Sequence, residues 1–290
     1  MSHSDTAESR TRRCFYTGTG LSAEVDHATP RSAVCYCRAR AMSVSALFSI
    51  RSEDYAQFRP TYPDGLFEWL ADHCSATHCA LDIAAGTGQA SRPLLARFDQ
   101  VVASDASPDQ LAGSTDWTVE HRVAALAEKL PLRNGIANLM VVAQALHWFA
   151  TPAFFSEAKR VLATDGLFCA WCYSLLRITP EIDALIDRLH GNVLGGYWPS
   201  GRASVDLGYQ DIQVPFQTIR LPEFAIEVQW DLQQLMGYFH TWSAVKRWQQ
   251  THGRDPLGQL VPELSELWGD AEHQRTVRWP LHFIAGYPGR

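Results

Sequence analysis

Short β-rich runs alternate with longer segments of helical spacing from about residue 66 onward, and this alternation constrains the fold more than any other feature. It predicts βαβ units, because two parallel strands need a crossover between them and that crossover is usually a helix. The sequence therefore predicts an α/β fold with a doubly wound, mostly parallel sheet. The first five predicted strands are 80–84, 101–104, 118–125, 137–143 and 167–171.

The helices between these strands carry recognisable start signals. Ser107, Pro108 and Gln110 provide an N-cap, a proline at the first helical position and a glutamine at the third, which together favour a helix start. A further predicted helix, 90–98, begins after a glycine-rich turn, and another opens at residues 151–152. We expect the latter to end at residues 165–166, before the fifth strand.

The spacing of apolar residues becomes less regular after residue 175. There we predict helices at 181–193, 232–239 and 243–250 and strands at 223–230 and 276–284. These elements are expected to complete a seven-stranded, Rossmann-like sheet with an antiparallel last strand, and to cover the carboxyl edge of the sheet with helices. Seven of the ten tryptophans lie beyond residue 170 and are suited to lining an apolar pocket there.

Composition divides the chain near residue 45. Residues 1–45 are rich in Ser, Thr, Arg and Ala, lack an apolar signal segment, and are predicted to form a disordered leader of net charge +2. Residues 46–290 are predicted to form one domain, divided into a core at 46–175 and a closing half at 176–290. This domain carries a net charge of -8, which disfavours nucleic acid as a substrate.

Cysteine use and hydropathy place the chain in a reducing, aqueous compartment. The seven cysteines are irregularly spaced, and Cys169 and Cys172 in a predicted strand point to opposite faces, so we predict reduced thiols and no metal site. No apolar run approaches the roughly 18 residues that a membrane span needs. We expect a cytoplasmic protein without a membrane span, and the sequence leaves its oligomeric state open.

Three groups of polar or glycine residues follow the predicted strands, at the sheet edge where open α/β folds bind ligands. Gly86 and Gly88 follow Asp82 in a tight turn whose backbone amides can approach a ligand. Asp105 ends the second strand, 19 residues after Gly86, where a carboxylate can accept both hydroxyls of a ribose. The fourth strand runs into the polar and aromatic segment 144–149.

A glycine turn followed by an acid about 20 residues later is also typical of dinucleotide sites. Asp82 favours another ligand, because its negative charge would oppose a pyrophosphate but would attract an ammonium group. S-adenosylmethionine combines ammonium, carboxylate, ribose and adenine. The alternatives are an oxidoreductase that uses NAD(P) and a binding protein that has this fold but no turnover.

With these motifs the chain resembles the class I S-adenosylmethionine-dependent methyltransferases, in particular the small-molecule group that includes trans-aconitate methyltransferase-like proteins. The resemblance extends over about residues 47–285. It rests on segments 55–63, 81–89, 127–132, 144–149, 160–162, 241–244 and 276–281.

The resemblance implies a cofactor role for each matching residue. Residues 82–88, with Asp82, Ala84, Gly86 and Gly88, would hold the methionine moiety of S-adenosylmethionine. The other implied cofactor residues are Asp105 for the ribose, Ala106, Ala127 and Glu128 for the adenine, Gln144 for the methyl-donor end, and Tyr55 and Arg59, which would close over the cofactor.

Ala84 departs from the family pattern, which has glycine at that position. We expect the alanine methyl group to be accommodated with a negative φ.

The resemblance also implies transfer of a methyl group to a small-molecule acceptor, with a carboxylic acid as one acceptor class. A carboxylate is already nucleophilic, so positioning and removal of water would supply most of the rate. His147 is a candidate base if the acceptor is a phenol or an amine, and its alternative is a structural role. Arg177, Arg202 and Arg247 are candidates for binding an acidic acceptor, and each fits equally well as a solvated surface charge.

Overall fold

The structure is a computed structural model that describes residues 61–113 and 121–289. The predicted leader, Tyr55 and Arg59 lie outside the described residues, as does the first part of the predicted third strand. Within the two described ranges, no helix combines the length and the apolar character needed to cross a bilayer.

The first half of the described chain alternates strand and helix, as predicted. Ser107 caps one of its helices by accepting a hydrogen bond from the backbone of Gln110, and Thr151 caps the next in the same way. The elements are α1 (Asp64–Asp72), β1 (Cys79–Ile83), α2 (Ser91–Leu95), β2 (Gln100–Asp105), α3 (Pro108–Ala112), β3 (His121–Ala124), β4 (Ala137–Ala143), a 3₁₀ turn (Leu146–Trp148), α4 (Pro152–Val161) and β5 (Leu162–Tyr173).

The second half contains more helix and three further strands. Its elements are α5 (Pro180–Arg188), a π-helical turn (Leu189–Val193), a 3₁₀ turn (Gly195–Tyr197), α6 (Arg202–Asp206), β6 (Thr218–Ile219), β7 (Ala225–Trp230), α7 (Leu232–His240), α8 (Ser243–His252), a 3₁₀ turn (Pro256–Gln259), α9 (Val261–Trp268) and β8 (Arg275–Gly286).

The sheet has the order β3-β2-β1-β4-β5-β8-β6, and β7 pairs separately with β8. Strands β1 to β5 are parallel, and β8 is antiparallel to each of its neighbours. The prediction of a doubly wound, mostly parallel sheet with an antiparallel last strand is confirmed. The strand count is eight among the described residues instead of seven, because the two-residue strand β6 is too short to leave a sequence signal.

The junction between α4 and β5 differs from the prediction. Asp165 and Gly166 do not end the helix, because α4 already ends at Val161 and β5 begins at Leu162. Between its pairings with Ala137 and Leu139 the strand shifts register, and a Cβ at Gly166 would lie 2.8 Å from the Ala137 carbonyl oxygen. Gly166 is therefore required by a close backbone approach within an irregular part of β5.

Two apolar layers cover the sheet. One contains α1, α2 and residues of α7 to α9, and the other contains α4, α6 and the segment after β3. Cys169 belongs to the first layer and Cys172 to the second, which confirms that they point to opposite faces, and both are free thiols. Among the described residues, α6 packs on β5 and on the turn after β4, so a helix covers this part of the carboxyl edge.

Candidate functional site

Asp82 lies near the carboxyl end of β1 and is fully buried, just before the glycine turn. The Ser91 hydroxyl at the start of α2 donates a short hydrogen bond to Asp82 Oδ2, whereas Asp82 Oδ1 is buried without a hydrogen-bond partner among the described residues. Burial raises the pKa of Asp82 to about 7, and the nearby charge of Asp105 adds to this effect, while the hydrogen bond from Ser91 opposes it. The buried carboxyl group therefore has an unused acceptor that a cationic ligand group can satisfy.

The turn after β1 has a left-handed backbone at three positions. The φ angles are +55° at Ala84, +55° at Gly86 and +82° at Gly88. The expectation of a negative φ at Ala84 is therefore wrong, because the turn is held in a left-handed conformation by its own contacts, including the hydrogen bond from the Ala85 amide to the Ser104 carbonyl oxygen. An alanine in this region is strained by about 1–2 kcal/mol.

Asp105 is oriented by two backbone amides. Its Oδ2 accepts from the Gly86 amide at 2.9 Å, and its Oδ1 accepts from the Ser107 amide at 2.8 Å. An ionised carboxylate has about four acceptor positions, so two remain for the hydroxyls of a ligand. The structure thus brings together the glycine turn and the acid that the sequence separates by 19 residues.

The residues implied for adenine lie at the same edge of the sheet. Ala106 follows β2 and is exposed, while Ala127 and Glu128 follow β3. The Ala125 amide donates to the Asp105 carbonyl oxygen at 3.0 Å, which ties the ends of these two strands together. Ala127 is buried, and its methyl group packs in the second apolar layer.

Gln144 is placed at the end of β4, but its side chain is occupied. Its Nε2 donates to the Tyr173 carbonyl oxygen at 3.0 Å, and its Oε1 accepts from the Tyr173 amide at 2.8 Å. The backbone of Gln144 has a φ of +57°. The side-chain amide thus continues the ladder between β4 and β5, which leaves the backbone and the aliphatic part of the side chain for a ligand.

His147 lies in the 3₁₀ turn after β4 and is held from the other half of the chain. Its Nδ1 is 3.2 Å from the hydroxyl of Tyr209, a buried residue with a φ of +65°. Burial and the positive charge of Arg202 lower the pKa of His147 to about 4, and Asp211 partly offsets this change. His147 is therefore neutral and a weak base near pH 7.

The carboxyl edge formed by these residues fits the groups of S-adenosylmethionine. Register pairs Asp82 with Val141, so the chains that leave β1 and β4 emerge side by side. The unsatisfied Oδ1 of Asp82 suits an ammonium group, the left-handed turn brings backbone close to a ligand, and Asp105 suits vicinal hydroxyls.

Sequence reasoning missed the residues that hold this site in place. Ser91, Tyr173 and Tyr209 each fix a predicted site residue through a hydrogen bond. Ser91 had a usable signal, since it begins the helix that follows the turn. Tyr209 had none, because its partner His147 lies 62 residues away in the sequence.

Comparison with known proteins supports the same assignment. A family model described as a methyltransferase domain matches residues 81–170. A Dictyostelium discoideum protein named as a methyltransferase is 34% identical over 246 residues, covering 82% of this chain and 93% of the relative. A solved structure described as a type II methyltransferase from Anaeromyxobacter dehalogenans is 36% identical, covers 80% of this chain and 98% of its own, and has a TM-score of 0.75.

A shorter match involves a relative whose name specifies its reaction. The malonyl-[acyl-carrier protein] O-methyltransferase of Geobacter sulfurreducens is 39% identical over 95 residues, which is 30% of this chain and 36% of the relative. These similarities do not favour the alternative of an oxidoreductase that uses NAD(P). From its fold, its site and these relatives, the chain belongs to the class I S-adenosylmethionine-dependent methyltransferases.

Proposed function

We propose that the protein transfers a methyl group from S-adenosylmethionine to a small-molecule acceptor, with a carboxylic acid as the acceptor class. The observation that carries the proposal is the position of two acids around the left-handed glycine turn. The buried Asp82 lies just before the turn, Asp105 accepts from the Gly86 amide within it, and the ends of β1 and β4 lie side by side. Its support for a small acceptor is the packing of α6 against the turn that holds His147, which restricts access to this edge.

When bound, S-adenosylmethionine supplies a methyl group that is already activated by a sulfonium. The residues of this chain then have to bind the cofactor and orient the acceptor against it. Asp82 would bind the ammonium group and Asp105 would bind the ribose hydroxyls. The chain that leaves β4 emerges beside the end of β1, which carries Asp82. A carboxylate acceptor would take the methyl group on an oxygen that is already ionised, so no residue of this chain would have to remove a proton.

The pKa of His147 favours an acceptor that is already ionised. A group with a pKa of about 4 is a poor match for removing a proton from a phenol or an ammonium group at neutral pH. The name of the Geobacter sulfurreducens relative, a malonyl O-methyltransferase, is in keeping with oxygen as the methylated atom. A catalytic base at His147 remains a prediction, and a pH profile of kcat for His147→Gln would reveal it.

Isothermal titration with S-adenosylmethionine and with NAD tests the cofactor assignment. We expect saturable binding of S-adenosylmethionine that weakens roughly 10- to 100-fold in Asp105→Asn, because a hydrogen-bonded charge is lost. Asp109→Asn is the matched control, since Asp109 is an exposed acid four residues away. Selective binding of NAD, or equal loss in both variants, would overturn the assignment.

Turnover is tested with labelled S-adenosylmethionine and the small-molecule fraction of a cell extract. A methyl ester product is identified by mass spectrometry and by release of labelled methanol in base. Label in a base-stable product would show that the acceptor atom is not a carboxylate oxygen. Cofactor binding without a labelled product would support the binding-protein alternative.

A further inference from the structure

A polar cluster on the far side of His147 is not used by the cofactor residues. We call it the Arg202 cluster and define it as His190, Trp198, Arg202 and Asp206. We infer that Arg202 binds an anionic group of the methyl acceptor and that Asp206 competes with that group for the same guanidinium. This inference rests on the proposed function, because it assigns the acceptor side of the same site.

Backbone geometry places Arg202 beside the site. Gly201 has a φ of +92°, and a Cβ at this position would lie 3.0 Å from His147 Cδ2. Glycine is required here because it permits both the left-handed turn and the close approach to the histidine ring. The next residue, Arg202, therefore begins α6 directly against the turn that follows β4.

The Arg202 side chain is held but not fully used. Its guanidinium lies 4.6 Å from the centre of the Trp198 ring, and its Nε donates to Asp206 Oδ1 at 2.8 Å. Only 19% of the side chain is exposed. Its two terminal nitrogens have no hydrogen bond among the described residues, and they are the atoms that bind a carboxylate in a two-pronged manner.

His190 adds a second unsatisfied group to the cluster. It lies in the π-helical turn after α5, a rare conformation that is frequent at functional sites. Its Nε2 is buried without a hydrogen-bond partner among the described residues and lies 3.6 Å from Asp206 Oδ2, beyond hydrogen-bond distance. The Trp198 indole donates to the His190 carbonyl oxygen at 3.1 Å, which fixes this turn against the tryptophan.

Electrostatics show that these groups converge. Burial is the largest cause of the lowered pKa of both His147 and His190, and the charge of Arg202 is the second cause for each. The charges of Asp206 and Asp187 raise the pKa of His190, and the charge of Arg177 lowers it further. Two neutral histidines thus flank a guanidinium whose charge is only partly neutralised by the half-exposed Asp206.

The other candidate arginines are less suited to this role. Arg177 is 45% exposed and pairs with Asp187 at 2.9 Å. Arg247 donates to the Tyr197 carbonyl oxygen at 3.3 Å. Neither directly follows a turn that touches His147, so the structure assigns anion recognition to Arg202.

Three variants test the inference. Arg202→Gln removes the guanidinium, while Asp206→Asn keeps an oxygen that can accept from Arg202 but removes the competing charge. Arg188→Gln is the matched control, because Arg188 is 52% exposed and pairs with Glu263. The probes are acetate, succinate, benzoate and tricarballylate with their neutral amides, titrated into protein loaded with S-adenosylhomocysteine and followed by tryptophan fluorescence.

We expect at least one carboxylate to bind wild-type protein more tightly than its amide. Arg202→Gln should raise its dissociation constant roughly 10- to 100-fold, and Asp206→Asn should lower it. Arg188→Gln should change nothing, and S-adenosylmethionine affinity should be the same in all variants. A purely structural Arg202 would not give tighter binding in Asp206→Asn.

Weaker or unchanged carboxylate binding in Asp206→Asn would overturn the inference, as would a lack of preference for carboxylates over amides in wild-type protein. Equal loss of carboxylate and S-adenosylmethionine binding in Arg202→Gln would also overturn it, since that would indicate general damage. Failure of the proposed function has another signature, because wild-type protein would then not bind S-adenosylmethionine at all.

Discussion

Ala84 carries a methyl group at a position where the backbone is left-handed, with a φ of +55°. The residue is half-buried, and its methyl group packs against the second apolar layer. The conformation is imposed by the hydrogen bonds around it, since the next residue, Ala85, donates to the Ser104 carbonyl oxygen at 3.0 Å. The turn is therefore formed against the preference of one of its own residues.

Ala84→Gly is expected to raise the free energy of unfolding by up to about 1.5 kcal/mol. Relief of strain contributes about 1–2 kcal/mol, and the greater freedom of glycine in the unfolded chain offsets about 0.4–1 kcal/mol of this gain. Urea unfolding followed by circular dichroism measures the difference. Ala85→Gly is the control, because φ is not positive there and the same substitution should destabilise. Destabilisation of equal size in both variants would contradict the role of φ.

Residue type predicted which side chains meet at the site but not the backbone angles there. Asp82, Gly86 and Asp105 could be placed because strand ends and glycine turns leave clear patterns, and the hydrogen bond between Gly86 and Asp105 confirms their proximity. The positive φ angles of Ala84 and Gln144 could not be predicted, since neither residue type favours them. Surrounding contacts, formed by residues distant in sequence, impose both.

At the level of elements, Gln144 joins the ends of two strands. Its side-chain amide exchanges two hydrogen bonds with the backbone of Tyr173, which is 4% exposed. The backbone amide of Gln144 also donates a hydrogen bond to the Trp171 carbonyl oxygen, at 2.8 Å. This junction fixes the direction in which the chain leaves β4 and hence the position of the turn that carries His147.

Gln144→Ala is expected to cost about 1–3 kcal/mol, because it removes two hydrogen bonds to the backbone of Tyr173. Gln144→Gly should be less costly by about 1 kcal/mol, since glycine adopts the φ of +57° without strain. In most positions a glycine variant is less stable than the corresponding alanine variant, so the order expected here is the reverse. Urea midpoints of the two variants measure it, with the exposed Gln229→Ala as a control. A glycine variant less stable than the alanine variant would refute the strain argument.

Strands buried on both faces could be predicted from the sequence, whereas a helix of little more than one turn and a two-residue strand could not. Strands β1 and β4 are buried on both faces and have mostly apolar sequences, and their predicted and observed bounds differ by no more than one residue. By contrast α6 has five residues and β6 has two, which is too short for any periodicity. The sequence therefore does not predict α6 or its place at the site, although Arg202 itself is a candidate for binding an acidic acceptor.

For the whole molecule, two buried groups make opposite contributions to stability as the pH changes. The pKa of Asp82 is about 7 in the folded protein and 3.8 in an exposed carboxyl group, so the folded state retains a proton that the unfolded state releases, and stability is lost as the pH rises from about 4 to 7. The pKa of His147 is about 4 instead of 6.5, so its contribution is lost as the pH falls from about 6.5 to 4. The two effects largely offset each other.

Asp82→Asn removes one of these opposing contributions. Relative to wild type, we expect no gain near pH 4 and a gain that grows to no more than about 4 kcal/mol at pH 7 to 8. The remaining contribution of His147 should make the variant steeply less stable in acid. Urea unfolding across pH 4 to 8 measures both trends, with Asp109→Asn as the control. A difference between Asp82→Asn and wild type that does not vary with pH would contradict the raised pKa of Asp82.

The order in which β5 gains its two neighbouring strands affects how the chain folds. One edge of β5 pairs with β4. Among the described residues, the other edge pairs with residues 281–286, about a hundred positions further along the chain. A ribosome that has released β5 must therefore make the whole second half before this central strand gains its second neighbour. During that interval the nascent chain exposes an apolar strand edge that can pair with other molecules. Pairing of residues 281–286 with β5 thus protects the sheet against aggregation only late in synthesis.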